Sequence, residues 1–165
     1  MSASPRLAVP ASRWVTFTLE GQRYALPLES VHRALRAVEI TPLPLAPDAV
    51  AGAIDVGGRT LPVFSLRVRL RLPEKPLQVS DQLIIARTSR RDVVLVVDSV
   101  LELIDAPLDA LSAPLPLTGN LAHLSGVLAL PDGMVFIEDL ERFLSPEEDR
   151  ALDSALRETG IDRAR

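Results

Sequence analysis

The sequence predicts a mainly β fold: two small five-stranded barrels in one body, with a C-terminal α-helix. Three observations carry this. Short runs of Val, Leu, Ile and Thr end at turn residues instead of continuing as long helices. The strand–turn–strand pattern then recurs: residues 84–97 fall on 15–28 at a shift of 69, and Gly126–Leu140 falls on Gly52–Leu66 at a shift of 74. After Ser145 the apolar spacing changes from that of a strand to that of a helix. Two copies are too few for a solenoid. Ten or so short strands in two copies suit two small barrels. Closing a five-stranded sheet also removes its two edges.

The elements follow in order. Residues 1–12 read as a flexible N-terminus ahead of a domain over 13–144. Trp14 to Leu19 alternates as a strand, and Glu20-Gly21-Gln22-Arg23 reads as a hairpin turn. Tyr24 to Leu28 is the return strand, which Pro27 demotes to an edge or a bulge. Glu29 to Val38 carries Val31, Ala34, Leu35 and Val38 at the spacing of a short amphipathic helix, with a strand over 35–40 competing. Pro42, Pro44 and Pro47 make 40–47 a rigid, apolar, extended segment. Gly52–Val56, Gly57-Gly58 and Arg59–Phe64 form a second hairpin. Arg67, Arg69 and Arg71 alternate with Val68, Leu70 and Leu72, which predicts a strand with three cations on one face. A polar linker, 73–80, separates two units at about 14–72 and 81–144. The second unit repeats the first: a strand at 84–86, a charged turn at 89–92, a strand at 93–97, and a later hairpin turning at Pro131-Asp132-Gly133. Ser145-Pro146-Glu147-Glu148 is a capping box with proline at the first helical position and acids at the positive dipole end. Leu152, Ala155 and Leu156 give the helix over 145–160 a stripe to pack on the domain, and Gly160 sits at its stop.

Composition narrows function. A chain of 165 residues is one domain's length and buries a core without staples. It has no cysteine, which removes disulfides, thiolate nucleophiles and cysteine metal sites. A net charge of −4, with 18 basic against 22 acidic residues, argues against nucleic acid as a partner. The longest aliphatic run, Val93–Val97, is far short of the ~18 residues of a spanning helix. Residues 1–13 lack the apolar stretch of a signal peptide. The expectation is a soluble, cytoplasmic chain without direct membrane insertion.

No catalytic constellation emerges. His32 and His123 occupy non-corresponding positions of the two copies, and neither has a second ligand at metal-binding spacing. Asp98 and Asp139, with Glu102 and Glu138, read as strand ends or caps more readily than as an acid–base pair. Gly57-Gly58-Arg59 lacks the following lysine and helix of a phosphate loop and reads as a hairpin turn. The expectations are therefore no catalytic residue, no metal site and no cofactor. Binding surface remains: the proline-stiffened segments Leu43–Pro47 and Pro114–Leu117 read either as crossover loops covering the barrel ends or as stiff apolar segments that bind at low entropy cost.

The order and spacing of several motifs resemble the CheW family, the coupling proteins of bacterial chemosensory arrays. The carriers are Phe17 to Leu28 with Val31; Pro47 with Gly52-Ala53-Ile54-Asp55; Gly58 to Val63; Val96 to Val100; and Gly126-Val127 with Phe136 to Leu140. The resemblance covers about residues 12–160. It implies two SH3-like barrels and no enzymatic activity. It implies an adaptor joining a chemoreceptor's cytoplasmic helical tip to a CheA-type histidine kinase, with other CheW-like proteins as further partners. Carried across, the receptor groove includes Val31, Arg33, Ala34, Gly52, Gly57, Val100 and Leu103, filled by apolar side chains of a partner helix. The kinase side falls at Ile40 and Leu43.

Three departures qualify this. Arg33 stands where the family has Glu, Gly57 where it has Arg, and Ser65 where it has Asp. The first two family residues carry opposite charge and pair near the receptor surface. Losing both avoids an unpaired charge. The departures imply an altered partner set: receptor binding with kinase binding lost or weakened, or service in a system other than flagellar chemotaxis. A remote alternative is a small-molecule-binding or enzymatic barrel, which requires a deep polar pocket joining Asp98 and Asp139.

Overall fold

The computed structural model describes residues 11–107, 111–112 and 124–158. Among the described residues, eleven strands form two sheets. The first sheet has the order β8-β1-β2-β11-β10-β9 and the second β3-β6-β7-β5-β4. The strands are β1 Ala11–Leu19, β2 Gln22–Pro27, β3 Val31–Arg36, β4 Val50–Val56, β5 Arg59–Phe64, β6 Gln82–Arg87, β7 Asp92–Val97, β8 Ser99–Pro107, β9 Leu111–Ser112, β10 Leu124–Leu130 and β11 Gly133–Glu138. Two α-helices complete the described residues: α1, Leu66–Leu70, and α2, Pro146–Glu158.

Each sheet draws strands from both of the units read in the sequence. The first sheet takes β1 and β2 from the first copy and β8–β11 from the second. The second sheet takes β3–β5 from the first copy and β6–β7 from the second. The pairings obey the sequence shifts. Val31↔Ala86 in β3–β6 becomes Val100↔Phe17 in β8–β1, since 31 + 69 = 100 and 86 − 69 = 17. The parallel pair Val63↔Val94 becomes Ile137↔Ala25, since 63 + 74 = 137 and 94 − 69 = 25. Equivalent pairings thus recur in the two sheets, with β1 and β2 beside second-unit strands and β6 and β7 beside first-unit strands.

Three apolar clusters follow. One fills the first barrel: Trp14, Ala25, Ala106, Leu128, Val135 and Ile137. One fills the second: Ile54, Leu61, Val63, Leu83, Ile85 and Val94. The largest lies between the barrels and beneath α2, with Phe17, Tyr24, Leu26, Ile84, Val93, Leu95, Phe143 and Leu152 among its members. Strands β1, β2, β6 and β7 contribute to a barrel interior with one face and to the shared core with the other. Burial on both faces favours near-continuous aliphatic runs such as Val93–Val97 over strict alternation.

Each barrel is closed by the continuation of its edge strand. Beyond β3, Thr41 bridges Ala53 through N···O distances of 2.9 and 2.8 Å. Beyond β8, β9 pairs Ser112 with Val127, the equivalent position of β10, since 53 + 74 = 127. A glycine sits beside each closure. A Cβ on Gly52 would strike the Thr41 carbonyl oxygen and lie 2.7 Å from Ile40 Cγ2, and one on Gly126 would lie 2.8 Å from Leu111 Cγ.

The structure corrects three local expectations. Glu29–Val38 is not a helix: Leu28–Ser30 is a single 3-10 turn and Val31–Arg36 is edge strand β3. The register shifts between Val31 and Arg33. This bulge switches faces, so Val31 packs on the shared core and Leu35 on the second barrel's interior. Second, β2 is a central strand between β1 and β11, and Pro27 is harmless because it ends the strand. Third, residues 66–70 are helical. The Ser65 side chain caps α1 by accepting from Val68 N (3.2 Å), Leu66 and Leu70 are buried, and Arg71 closes the turn at φ 59°. The three arginines therefore do not share one face.

The helix α2 is capped reciprocally. Glu148 N donates to Ser145 Oγ (3.1 Å) and Ser145 N donates to Glu148 Oε1 (2.9 Å), the predicted capping box. The helix is moored by the β6–β7 turn. Arg91 NH1 pairs with Asp149 Oδ1 at 2.6 Å, Arg91 also pairs with Asp153, and Arg90 Nε lies 2.8 Å from Asp149 Oδ2. His123 and Pro114–Leu117 lie outside the described residues.

Candidate functional site

The predicted groove residues occupy two equivalent edge strands. Val31, Arg33 and Ala34 lie on β3; Val100 and Leu103 lie on β8, with Val31 matching Val100 and Ala34 matching Leu103 at the shift of 69. Val31 and Val100 are half-buried against the shared core. Beyond them both strands turn outward: Arg33 and Ala34 are exposed, and Leu103 is 46% exposed beside Leu101 at 36%. Two edge strands thus carry side chains outward from the junction of the barrels.

Gly52 and Gly57 differ in setting. Gly52 is buried at the barrel closure, where its missing side chain is a packing requirement. Gly57 is exposed at the β4–β5 turn with φ +59°, and a Cβ there would meet nothing within 4 Å. Ile40 is half-buried on the second barrel's interior. It borders a shallow depression of about 130 Å³ with Arg67, Leu77, Val96 and Asp98. Leu43 is buried in the shared core at 7% exposure.

Next to β3 lies a polar constellation that the motifs did not reveal. Asp92, at the start of β7, has a side chain only 3% exposed. It accepts from Arg87 Nε at 3.0 Å and is paired with Arg59 NH1 at 2.9 Å, while His32 Nε2 stands 3.5 Å away. Burial pushes the Asp92 carboxyl up, but hydrogen bonds and charge from Arg87 and Arg59 outweigh this and hold it below the usual carboxylate range. With Arg33, Val56, Leu61 and Ile85 these residues line a surface depression of about 230 Å³. The sequence signal was available: Arg87 and Asp92 flank one hairpin turn and face each other across it.

The two carboxylates weighed for chemistry are structural. Asp98 accepts from Arg67 NH2 (3.0 Å) and from Glu20 N (2.8 Å), and Arg67 also pairs with Glu20. Arg67 thereby ties α1 to the β1–β2 turn and to the crossover into β8. Asp139 caps the 3-10 turn Leu140–Arg142 by accepting from Glu141 N (3.0 Å). The barrel interiors between them are filled with apolar side chains. Among the described residues, no three His, Asp or Glu gather as a metal site, and no helix is long and apolar enough to cross a membrane.

Solid barrels, a shared core and outward-facing edge strands define a docking scaffold. A profile of the CheW-like domain matches residues 13–148, and the chain belongs to the CheW-like family, whose members are non-enzymatic scaffold proteins. A chemotaxis protein CheW of Rhizobium meliloti is 26% identical over 102 residues, spanning 62% of this chain and 66% of that protein, just under two thirds of its length. The crystal structure of the scaffolding protein TtCheW from Thermoanaerobacter tengcongensis superposes with a TM-score of 0.77 at 26% identity, covering 84% of this chain and 96% of that one.

Proposed function

We propose that this scaffold couples the cytoplasmic tip of a chemoreceptor to a CheA-type histidine kinase, in the cytoplasm at receptor arrays. One observation carries the reading: the equivalent edge strands β3 and β8 each run from a core-packed valine to exposed residues. On this reading Val31, Ala34, Val100 and Leu103 meet an apolar helix face, Gly57 keeps the turn beside them low, and Gly52 fixes the strand behind. On the kinase side Ile40 makes the contact and buried Leu43 holds its segment in place. The test is co-elution of the purified chain with a receptor cytoplasmic fragment and with the kinase. Leu103→Arg leaves the urea midpoint unchanged and abolishes receptor co-elution. Failure of the wild type to bind either protein sinks the reading.

A second reading, receptor docking without kinase recruitment, is favoured by the charges. Arg33 has no ion-pair partner among the described residues, and Gly57 offers it none. Arg33→Glu with Gly57→Arg then improves ternary assembly. A wild type that already forms the ternary complex and activates the kinase removes this reading.

A further inference from the structure

The depression beside β3 is charged against the grain of the molecule. The chain carries −4 overall, yet this concavity gathers Arg33, Arg59 and Arg87 around a single carboxylate, Asp92. Its arginines outnumber its carboxylate by two. The cations are not equivalent. Arg59 and Arg87 are oriented by Asp92 while remaining 64% and 62% exposed, so each keeps donors for a second acceptor; a guanidinium has five. Among the described residues, Arg33 is held by no acid. Asp92 is fixed from below, and Val56, Leu61 and Ile85 line the floor. An incoming anion thus finds preset donors above an apolar base, the arrangement in which charge-assisted hydrogen bonds are strongest.

We propose that this depression receives acidic side chains, Asp or Glu, of the protein segment that docks on β3, and that Arg33 with Arg59 selects for them. The inference rests on the docking reading above and adds the charge of the partner. A volume of about 230 Å³ suits one or two carboxylate side chains and is small for a folded element. The exposed strand beside it supplies the surface for the rest of the segment. A partner with cations at this place is rejected by like charge, so the same cluster gives specificity as well as attraction.

The experiment is calorimetric titration of the purified chain with the receptor cytoplasmic fragment at low and high salt. Wild type, Arg33→Gln, Arg33→Glu and Arg59→Gln are compared, with Arg157→Glu on α2 as the control for net charge. Arg33→Glu weakens binding at least about tenfold, because the new carboxylate repels the partner and competes for Arg59. Arg33→Gln and Arg59→Gln weaken it less, the salt dependence flattens in each, and Arg157→Glu binds as wild type does. Replacing an acidic residue of the fragment by Lys restores binding to Arg33→Glu. Wild-type binding that is indifferent to salt and to the charge at 33 and 59 overturns the acidic-partner inference and leaves the docking reading standing. No wild-type binding at all overturns both. Saturation of the site by inorganic phosphate with no effect on fragment binding also overturns it, since the cluster is then a small-anion site.

Discussion

Replacing Gly52 by Ala tests the barrel closure most directly. The added methyl enters space held by the Thr41 carbonyl oxygen and lies 2.7 Å from Ile40 Cγ2 and 3.0 Å from the Thr41 carbonyl carbon. Backbone atoms cannot rotate aside as a side-chain tip can, so the Ile40–Thr41 segment must move away from β4. Two bridge hydrogen bonds, at 2.9 and 2.8 Å, are then lost or stretched. At about 1 kcal/mol net each, with about 1–3 kcal/mol of overpacking, the cost is about 3–5 kcal/mol. Gly57→Ala is the comparison. It meets nothing within 4 Å, and its left-handed φ costs about 1–2 kcal/mol, partly offset by the lower entropy of the unfolded chain. The assay is urea unfolding followed by circular dichroism and by Trp14 fluorescence. Trp14 is the only tryptophan and lies buried in the other barrel. Through the shared core, both probes move together to a lower midpoint in Gly52→Ala. A Gly52→Ala protein no less stable than Gly57→Ala refutes the closure argument, and a Trp14 transition left unmoved refutes the coupling of the barrels.

Three further outcomes are expected. Asp92→Asn costs about 1–2 kcal/mol at neutral pH, moderated because Arg59 and Arg87 are free to be solvated. Since the folded carboxyl titrates below its unfolded value, its contribution is complete above about pH 4 and fades as pH falls through the lower folded-state value, so wild type and variant converge in acid unfolding curves. Arg91→Ala leaves Asp149 and Asp153 with Arg90 as their remaining partner and lowers stability by about 1–2 kcal/mol, read as a lower urea midpoint. Ser145→Ala removes the acceptor of the Glu148 N–H and costs about 1 kcal/mol, read as a thermal midpoint a few degrees lower.

Sequence patterns that reflect one local cause were legible. The hairpin turns and the capping box each depend on a few neighbouring residues. Where a tertiary device altered the period, the reading failed. The β3 bulge places Val31 and Leu35 in two different cores, and their spacing of four imitates a helix. The alternation of Arg67, Arg69 and Arg71 imitates a strand, and only Ser65 with Leu66 and Leu70 betrayed the turn of helix. Of the site, the motifs pointed to Arg33 and the Gly57 turn. The Asp92 cluster was missed because Arg59 lies in the first copy while Arg87 and Asp92 lie in the second. Only the exchanged strands bring them together.

That exchange reaches beyond packing. Neither half of the gene encodes a complete barrel. A cut in the 73–80 linker would leave one fragment holding β1–β5 and the other β6–β11, each lacking neighbours its strands pair with. The two barrels therefore fold, and are lost, as one.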